Sequence, residues 1–487
     1  MASLEELREV RIAKLNKLRT MGLDPYPSRV TRTHGIGEVV RNFEEIKNSE
    51  TTVGIAGRIR GMRLHGGSAF LDIEDGGGAI QVFCEEKKLG GDTYAIVREL
   101  TDIGDFIETS GTVFLTKQDQ QTIQATTFRV ISKALRPIPE EHFGLKDTEV
   151  LFRRRYLDLL VNAETRELFA RKARFWKSVR SFLDAHGFIE VDTPALLDVP
   201  GGADARPFIT HHNALDRDFY LRISLELPLK KIIIGGLERV YEIGKVFRNE
   251  GISPEHLQDY LLCEFYWAYA DYNDLMGLLE NMHRHIVEET TGGVTTMYDG
   301  REINWAGTWP RVDFYKIITD QLGQDLSGLD TQELRTYAKS LGLQLETQWE
   351  KGRILDYIWK KKVRPHILQP TFIIHHPIEV SPLAKRLPDE PSRVERVQLV
   401  AAGTELGNGW SELNDPLDQR ERFKMQQQMR EAGDEEAQMT DESYLEALEY
   451  GMPPTAGYGF SERLFSILMD RPVRETVVFP PMREEHD

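Results

Sequence analysis

Apolar and polar positions alternate along two stretches near the middle of the chain. The first covers residues 240–250 (VYEIGKVFRNE) and ends on charged side chains, and the second covers residues 260–270 (YLLCEFYWAYA) and is rich in aromatic side chains. Alternation with a period of two and aromatic enrichment are typical of strands. The segment between them, GISPEHLQD, consists largely of turn formers. The pattern therefore predicts a two-stranded hairpin.

The predicted hairpin gathers chemically useful side chains on shared faces. Because successive strand side chains point to opposite faces, Arg248 and Glu250 should share one face of the first strand. By the same rule, Tyr260, Glu264 and Tyr266 should share one face of the second strand. A guanidinium suits carboxylate or phosphate groups, and a ring suits a base or a cation. The residues predict a site for a nucleotide and a small charged substrate, but an amphipathic hairpin with surface ion pairs is an equally open interpretation.

The part of the chain before this hairpin predicts a helical segment followed by a small barrel. Residues 1–50 are predicted to be mainly helical, with Ser3 and Glu6 forming a capping box. Residues 51–137 contain five short strand-like runs separated by Gly or Asp turns, which predicts a Greek-key barrel of the OB type. Such barrels bind single-stranded nucleic acid by stacking bases on aromatic rings. The alternative is that the phenylalanines of these strands form the barrel core.

The remainder of the chain predicts a second domain of α+β class. Residues 138–160 contain a proline and become helical, so we interpret them as a linker. Helical and strand-like segments follow one another through residues 161–487. Within them, residues 310–370 are polar and helical in pattern, which predicts a helical insertion.

Composition limits the class of protein further. A chain of 487 residues is too long for one ordinary core, so two or three domains are expected. The net charge of −17 argues against nucleic-acid binding by overall charge, although it leaves room for a local basic surface. Cys84 and Cys263 are too few for a disulfide framework or a zinc site. We find no signal peptide and no membrane-length apolar run, so a soluble, cytoplasmic protein is expected.

Three sequence blocks occur in the order of a known enzyme family. FIEVDTP at 188–194 predicts a strand ending in proline, FRNE at 247–250 opens the hairpin turn, and GYGFSERLF at 457–465 leads an arginine into a helix. Together they resemble motifs 1, 2 and 3 of the class II aminoacyl-tRNA synthetases. With the preceding barrel, the chain resembles subclass IIb, and residues 135–483 most resemble its bacterial lysyl-tRNA synthetases. RRRYLDLL, EVSPLAK, NGWSELNDP and MPPTAG are further blocks that carry this resemblance.

The resemblance implies a fold, an activity and a set of partners. The fold would be an OB-type barrel for the anticodon, followed by a catalytic domain with an antiparallel sheet flanked by helices. The activity would be ATP-dependent conversion of L-lysine to lysyl-adenylate and transfer of lysine to the 3′ end of tRNA(Lys). ATP would come with Mg²⁺, and the enzyme would be a homodimer.

The same resemblance implies roles for individual residues. The catalytic arginines would be Arg248 and Arg463. ATP would contact Arg248, Glu250, His256, Tyr260, Glu264, Glu405 and Arg463. Lysine would contact Gly202, Glu226, Arg248, Tyr266, Asn408, Trp410 and Glu412. The implied metal ligands are Glu405, Glu412 and, as a neutral amide, Gln398. The implied anticodon residues are Arg60, Phe70 and Gln81.

The chain departs from the family pattern at several positions. Motif 3 has two glycines and a shortened span before Arg463. Gln398 stands where a metal-binding Glu is usual, and Thr127 stands where the family has a Glu associated with the anticodon. Glu255 and Leu257, in the motif 2 loop, replace a usual Arg and Asn. Two readings therefore compete with lysine activation: another subclass IIb specificity, or a tRNA-binding paralogue that has lost catalysis.

Overall fold

The computed structural model of the chain divides into two compact units. The first unit is Met1–Thr148 and the second is Glu149–Asp487. The structure describes residues 3–139, 148–251, 257–431, 433–434 and 437–482. Within those ranges, each helix is either too short or too polar to cross a membrane.

The first unit begins with a capped basic helix. Ser3 accepts a hydrogen bond from the backbone N–H of Glu6, and the Glu6 carboxylate accepts one from the N–H of Ser3 at 2.7 Å, which confirms the predicted capping box. Lys14 of this helix pairs with Asp102 at 2.6 Å, and the buried Arg11 donates to three backbone carbonyls of the unit. The helices are α1 Leu4–Thr20, α2 Ile36–Arg41, α3 Phe43–Asn48, α4 Glu86–Leu89 and α5 Gly91–Ala95, with a π-helical turn at Ile96–Leu100.

A closed five-stranded barrel with one added strand forms the rest of the first unit, as the sequence predicts. The strands are β1 Val53–His65, β2 Ser68–Asp75, β3 Gly78–Glu85, β4 Phe106–Leu115, β5 Gln121–Ala125 and β6 Arg129–Ser132. They pair in the order β1-β2-β3-β5-β4, and β1 also pairs with β4, which closes the barrel. The β3–β5 pair is parallel and the other pairs are antiparallel.

Alternation along β1, β2 and β3 decides between the two interpretations of the phenylalanines. The inward positions are aliphatic or small and fully buried, and they include Leu71, Ile73 and Val82. Phe70 and Phe83 fall on the alternate positions and stay partly exposed. They are direct cross-strand neighbours, with ring centroids 4.6 Å apart. The alternative that these rings are the barrel core is therefore wrong.

The second unit is built on one eight-stranded sheet. The strands of the unit, some of which belong to two smaller sheets, are β7 Ile189–Glu190, β8 Leu196–Leu197, β9 Ile209–His212, β10 Arg217–Leu221, β11 Arg239–Phe247, β12 Asp259–Ala268, β13 Thr295–Tyr298, β14 Arg301–Asn304, β15 Arg311–Asp313, β16 Thr371–Ile374, β17 Arg396–Ala401, β18 Thr404–Ser411 and β19 Thr455–Ser461. The large sheet has the order β15-β16-β17-β18-β19-β12-β11-β7. Its six central strands pair antiparallel, and the two outermost pairs are parallel.

Helices pack on both faces of this sheet. They are α6 Thr148–Arg153, α7 Arg155–Val161, α8 Ala163–Ala185, α9 Glu226–Ile234, α10 Tyr272–Thr291, α11 Phe314–Leu322, α12 Thr331–Ser340, α13 Lys351–Ile358, α14 Pro416–Glu431, α15 Glu442–Glu449 and α16 Arg463–Leu468. One core joins α8 and α10 to sheet residues such as Phe265 and Tyr458. A second core, on the opposite face, joins α9 and α15 to Val240 and Tyr266.

The predicted hairpin is present as β11 and β12. The pairing runs from Arg239 opposite Trp267 to Phe247 opposite Asp259. One prediction about it is wrong: Arg248 and Glu250 do not lie on the first strand, because β11 ends at Phe247. Arg248 is instead fixed in the turn by a backbone hydrogen bond to Gln258 at 2.8 Å.

The region predicted as a helical insertion contains helices with a core of their own. Helices α11, α12 and α13 lie within it, followed by a π-helical turn at Trp359–Val363 and a 3₁₀ turn at Arg364–His366. Their buried side chains, including Phe314, Leu334 and Trp359, form a separate apolar cluster that also includes Ile373 of the sheet. This cluster fixes the orientation of the basic turn that follows α13.

The barrel makes one sharp steric prediction at Gly111 of β4. A Cβ added at Gly111 would lie 1.9 Å from the carbonyl oxygen of Gln124 in the paired strand. We expect Gly111→Ala to lower the unfolding free energy of the first unit by about 1–3 kcal/mol or more, because the strands must separate locally. Gly76→Ala is the matched control, since its Cβ meets nothing within 4 Å. Equal melting temperatures for the two variants would contradict the strand register.

Candidate functional site

A cavity of about 680 Å³ opens in the second unit, a size suited to a small-molecule ligand. It collects the side chains that the sequence analysis assigned to ATP, lysine and metal from segments far apart in the chain. His256 is an exception, because it lies outside the described residues. The predicted residues that line the cavity are Gly202, Glu226, Arg248, Glu250, Tyr260, Glu264, Tyr266, Gln398, Glu405, Asn408, Trp410, Glu412 and Arg463.

Strand β12 forms the floor of the cavity. Tyr260, Glu264 and Tyr266 alternate along it and share one face, as predicted. The guanidinium carbon of Arg248 lies 5.6 Å from the centre of the Tyr260 ring, and its Nε donates to the carbonyl of Ile223. The turn thus supplies a cation beside an aromatic surface, and the Glu264 carboxylate lies farther along the same face of the strand.

Glu264 is held in place by three hydrogen bonds. Its Oε1 accepts from the Ser224 hydroxyl at 2.7 Å and from the backbone N–H of Leu225 at 3.1 Å. Its Oε2 accepts from the Tyr266 hydroxyl at 3.0 Å. Burial raises the pKa of Glu264, and these donors act in the opposite direction. Although predicted for ATP, Glu264 therefore contacts Tyr266, a residue predicted for lysine.

Two further carboxylates in the cavity share one buried ammonium group. The Lys230 side chain is fully buried, and its Nζ lies 2.5 Å from Oε1 of Glu226. The same Nζ contacts Oε2 of Glu412, which also accepts from the Trp410 indole N–H at 2.8 Å. Burial raises the pKa of both carboxyl groups above their ordinary value. The other oxygen of Glu412 is buried and has no hydrogen-bond partner among the described residues.

Two glycines make room for these carboxylates. A Cβ at Gly457 of β19 would lie 2.3 Å from Oε1 of Glu412 and 2.4 Å from the Tyr266 ring. Gly202 has a φ of +82°, and a Cβ there would lie 2.8 Å from the Glu226 side chain. Gly202 is among the predicted lysine-binding residues, whereas Gly457 is not, although it lies in the block MPPTAG. The absence of a side chain at both positions lets the buried carboxylates approach the backbone closely.

Two of the residues implied as metal ligands, Glu405 and Gln398, form a hydrogen-bonded group with Asn408. Glu405 accepts from the side-chain amides of Gln398, at 2.5 Å, and of Asn408. The Gln398 oxygen accepts from the indole N–H of Trp359 at 3.0 Å, so it is directed away from Glu405. No cluster of three or more His, Cys, Asp or Glu side chains suited to a metal occurs in the described ranges. This donor set fits a Mg²⁺ held by one carboxylate, Glu405, together with ligand phosphates.

Cations that the sequence analysis missed also line the cavity. Lys360, Lys361 and Arg364 come from the turns after α13. Arg364 Nη1 lies 3.9 Å from Oε2 of Glu405, and its buried Nε has no hydrogen-bond partner within the described part of the chain. Arg396 lies on the cavity wall as well, and donates to the Asn408 oxygen at 2.8 Å. The basic run KKKVR was the available signal, but its place in a predicted insertion concealed it.

The shortened motif 3 still delivers its arginine to the cavity. Strand β19 ends at Ser461, and α16 begins at Arg463 after the single residue Glu462. Glu462 is buried and pairs with Lys172 of α8, which fixes the start of the helix. Arg463 consequently lies in the first turn and lines the cavity.

The predicted anticodon residues lie together on the first unit. Arg60, Phe70 and Gln81 belong to the adjacent strands β1, β2 and β3, and each is partly exposed. Arg60 pairs with Glu74 at 2.9 Å, and the Gln81 oxygen accepts from Thr122 at 3.1 Å. With Phe83, whose ring packs against that of Phe70, they provide an aromatic and polar surface of the kind that binds unpaired bases.

Comparison with known families agrees with this geometry. Residues 147–483 match the family described as tRNA synthetases class II (D, K and N). The chain belongs to this family. Residues 53–131 match the OB-fold nucleic acid binding domain, which is the closed barrel of the first unit.

Similar proteins cover the chain from end to end. A lysine–tRNA ligase of Carboxydothermus hydrogenoformans is 45% identical over 99% of this chain and 98% of its own length. A lysine–tRNA ligase of Moorella thermoacetica is 44% identical over 99% of each chain. A lysine–tRNA ligase of Bacillus subtilis is 42% identical over 99% of this chain and 98% of its own.

The position of Arg364 leads to a prediction about the binding of ATP. Its charged group lines the cavity beside Glu405. We expect Arg364→Ala to raise the KM for ATP in pyrophosphate exchange by about tenfold, because one charge-assisted contact to a phosphate is lost. Lys362→Ala is the control, since Lys362 belongs to the same basic run but is not among the residues that line the cavity. The same KM for ATP in both variants would contradict a phosphate-binding role for Arg364.

Proposed function

We propose that the chain is a lysine–tRNA ligase, which activates L-lysine with ATP and transfers it to the 3′ end of tRNA(Lys). The lysine specificity is inferred from the environment of the Glu412 carboxylate. It is buried in the cavity wall, and one of its oxygens has no hydrogen-bond partner among the described residues. The full-length similarity to lysine–tRNA ligases supports the same substrate.

The contacts of the cavity suit each charged group of lysine. The free oxygen of Glu412, beside Tyr266 and Trp410, would accept from the ε-ammonium. Glu226 and Glu264, with the backbone near Gly202, would surround the α-ammonium, and Arg248 would hold the carboxylate. Asn408 and Trp410 would form the walls along the side chain. Removal of an ammonium group from water requires such anionic partners, since an unpaired buried charge costs several kcal/mol, on the order of 3–5.

Activation needs no side-chain nucleophile. An oxygen of the lysine carboxylate attacks the α-phosphorus of ATP, the bond from that phosphorus to the bridging oxygen breaks, and pyrophosphate leaves. Arg248 would neutralise charge at the α-phosphate, and Arg463 at the γ-phosphate. Tyr260 would stack on adenine, while Glu250 and His256 would contact the adenine and phosphate ends of ATP. Positioning and charge neutralisation account for most of the acceleration.

Mg²⁺ would enter with ATP. Glu405 is the carboxylate best suited to hold it, and Gln398 and Asn408 orient that carboxylate. The ion would add positive charge where phosphate charge develops. The contact of Glu412 with Lys230 favours its lysine role over its implied role as a metal ligand.

The tRNA and the second subunit are the remaining proposed partners, and they follow from family membership and from the OB-type barrel. Arg60, Phe70 and Gln81 would read the anticodon, and the neighbouring Phe83 offers a second ring for stacking. Thr127, where the family has a Glu, is occupied by a hydrogen bond with the Ser110 hydroxyl at 2.7 Å. We also propose that the enzyme is a homodimer and acts in the cytoplasm.

The cavity disfavours the two competing readings. The side chain of aspartate would place an anion beside Glu412, and that of asparagine would place a neutral amide there. A pocket for either substrate would need a cation at the position of Glu412. A paralogue without catalysis would have no need to keep Arg248, Glu405 and Arg463 on one cavity.

ATP–pyrophosphate exchange with each of the twenty amino acids tests the proposal. We expect exchange with lysine in the presence of Mg²⁺, and background rates with aspartate and asparagine. Exchange with aspartate or asparagine in place of lysine would support the other specificity. No exchange with any amino acid, in a protein with a native melting transition, would support the paralogue.

Glu412 yields a more specific prediction. We expect Glu412→Gln to raise the KM for lysine by about tenfold to a hundredfold, because a charged hydrogen bond to the ε-ammonium is lost. The KM for ATP should change little. Glu446→Gln, on the exposed face of α15, is the matched control. If Glu412→Gln leaves the lysine KM at the wild-type value, the assignment of the pocket is wrong.

A further inference from the structure

The buried Lys230 has no role in the proposed reaction, although it contacts two of the three carboxylates that would receive the substrate's ammonium groups, Glu226 and Glu412. We propose that Lys230 is a positioning and specificity-determining residue, which holds Glu226 and Glu412 in place and balances the charge of the lysine pocket. This inference rests on the proposed function and adds to it a residue that does not touch the substrate.

Lys230 lies behind the cavity wall. It is on α9, one turn after Glu226, and its side chain is 0% exposed. Glu226 and Glu412 line the cavity, whereas Lys230 is not among the lining residues. The ammonium group therefore contacts the two carboxylates from behind and leaves the cavity side to a ligand. A side chain in this position acts on the substrate only through its partners.

The two carboxylate oxygens of Glu412 have different surroundings. Lys230 and the Trp410 indole both bind Oε2, so this oxygen is committed to the protein. Oε1 lies beside Gly457 and Tyr266 and has no hydrogen-bond partner among the described residues. Without the ammonium of Lys230, the carboxylate could rotate about its side-chain bonds and lose this orientation. Lys230 thus keeps one oxygen available for the incoming cation.

Lys230 also affects the balance of charge in the lysine pocket. Glu226, Glu264 and Glu412 are the three buried carboxylates in the part of the cavity proposed for lysine, whereas Glu462, which is also buried and lines the cavity, already pairs with Lys172. Lysine brings two ammonium groups, and its carboxylate pairs with Arg248. One buried carboxylate would therefore remain without a cation, and Lys230 supplies that charge. The pocket then matches a substrate with two ammonium groups better than one with a single ammonium group.

The neighbouring Lys231 provides a matched control. It lies next to Lys230 on the same helix but points to the partly exposed side, where it contacts the Ser443 hydroxyl at 2.7 Å and Asp441 at 3.4 Å. A Lys→Met change at either position removes one charge and keeps a long apolar side chain. Only the change at Lys230 removes the shared partner of Glu226 and Glu412.

The test is lysine-dependent pyrophosphate exchange with the full chain. We expect Lys230→Met to raise the KM for lysine by about tenfold or more, because two buried carboxylates lose their cation. The KM for ATP should stay within about twofold, since the ATP contacts are elsewhere in the cavity. Lys231→Met should leave both constants unchanged. A wild-type KM for lysine in folded Lys230→Met overturns the inference, and so does an equal rise of both constants.

A double-mutant cycle checks that Lys230 acts through Glu412. In a Glu412→Gln background, we expect Lys230→Met to raise the lysine KM by a smaller factor than it does in the wild type. Equal factors in the two backgrounds would contradict a positioning role.

A milder variant covers the case in which Lys230→Met does not fold. Lys230→Gln keeps N–H donors for both carboxylates but carries no charge, so the lysine KM should rise while the melting transition remains. An unchanged lysine KM in that variant overturns the inference. Absence of exchange in the wild-type protein itself would instead reject the proposed function.

Discussion

The constraint on which the site depends is the burial of three carboxylates, those of Glu226, Glu264 and Glu412, in the part of the cavity proposed for lysine. An ionised carboxylate without a partner is expensive to bury, so each one must find donors or a cation in the protein or in a ligand. Glu264 meets this requirement with a hydroxyl, a backbone N–H and a phenol. Glu226 and Glu412 both contact Lys230, and one oxygen of Glu412 has no hydrogen-bond partner among the described residues. A cationic amino acid would supply the partner that this oxygen lacks.

The sheet and its close contacts make this arrangement possible. Strands β12 and β19 are neighbours in the large sheet, and Gly457 stands opposite Tyr266. Because Gly457 has no side chain, Glu412 and the Tyr266 ring can approach the backbone from the cavity side. On the opposite face, Phe265 and Tyr458 pack against α8 and α10, so the same two strands carry both the core and the site. A rigid strand pair of this kind holds its polar side chains more accurately than a loop would.

Much of the architecture and of the site was predictable from local sequence pattern. Alternation alone gave the β11–β12 hairpin, and the face shared by Tyr260, Glu264 and Tyr266 followed from the period of a strand. The motif resemblance assigned residues as far apart in the chain as Gly202 and Arg463 to one site, and both line the same cavity. The error at Arg248 arose because alternation does not reveal where a strand ends, and β11 stops one residue earlier.

The residues that were missed are those whose partners lie elsewhere in the chain. Glu226 and Lys230 are four residues apart on α9, a spacing visible in the sequence, but the contact with Glu412 joins segments that only the fold brings together. Arg364 was hidden for a similar reason, because nothing in a polar, helical stretch tells which turn will face Glu405. The strand register was also needed to show that Phe70 and Phe83 lie outside the barrel core.

The central claim is that buried carboxylates select the second ammonium group of the substrate. The most direct measurement is calorimetric titration of the full chain, without ATP, with lysine and with norleucine, which has a similar side-chain length but no ε-ammonium. The account predicts that norleucine binds at least about a hundredfold more weakly, because it leaves the free oxygen of Glu412 buried without a partner. Equal affinity for the two amino acids would contradict it.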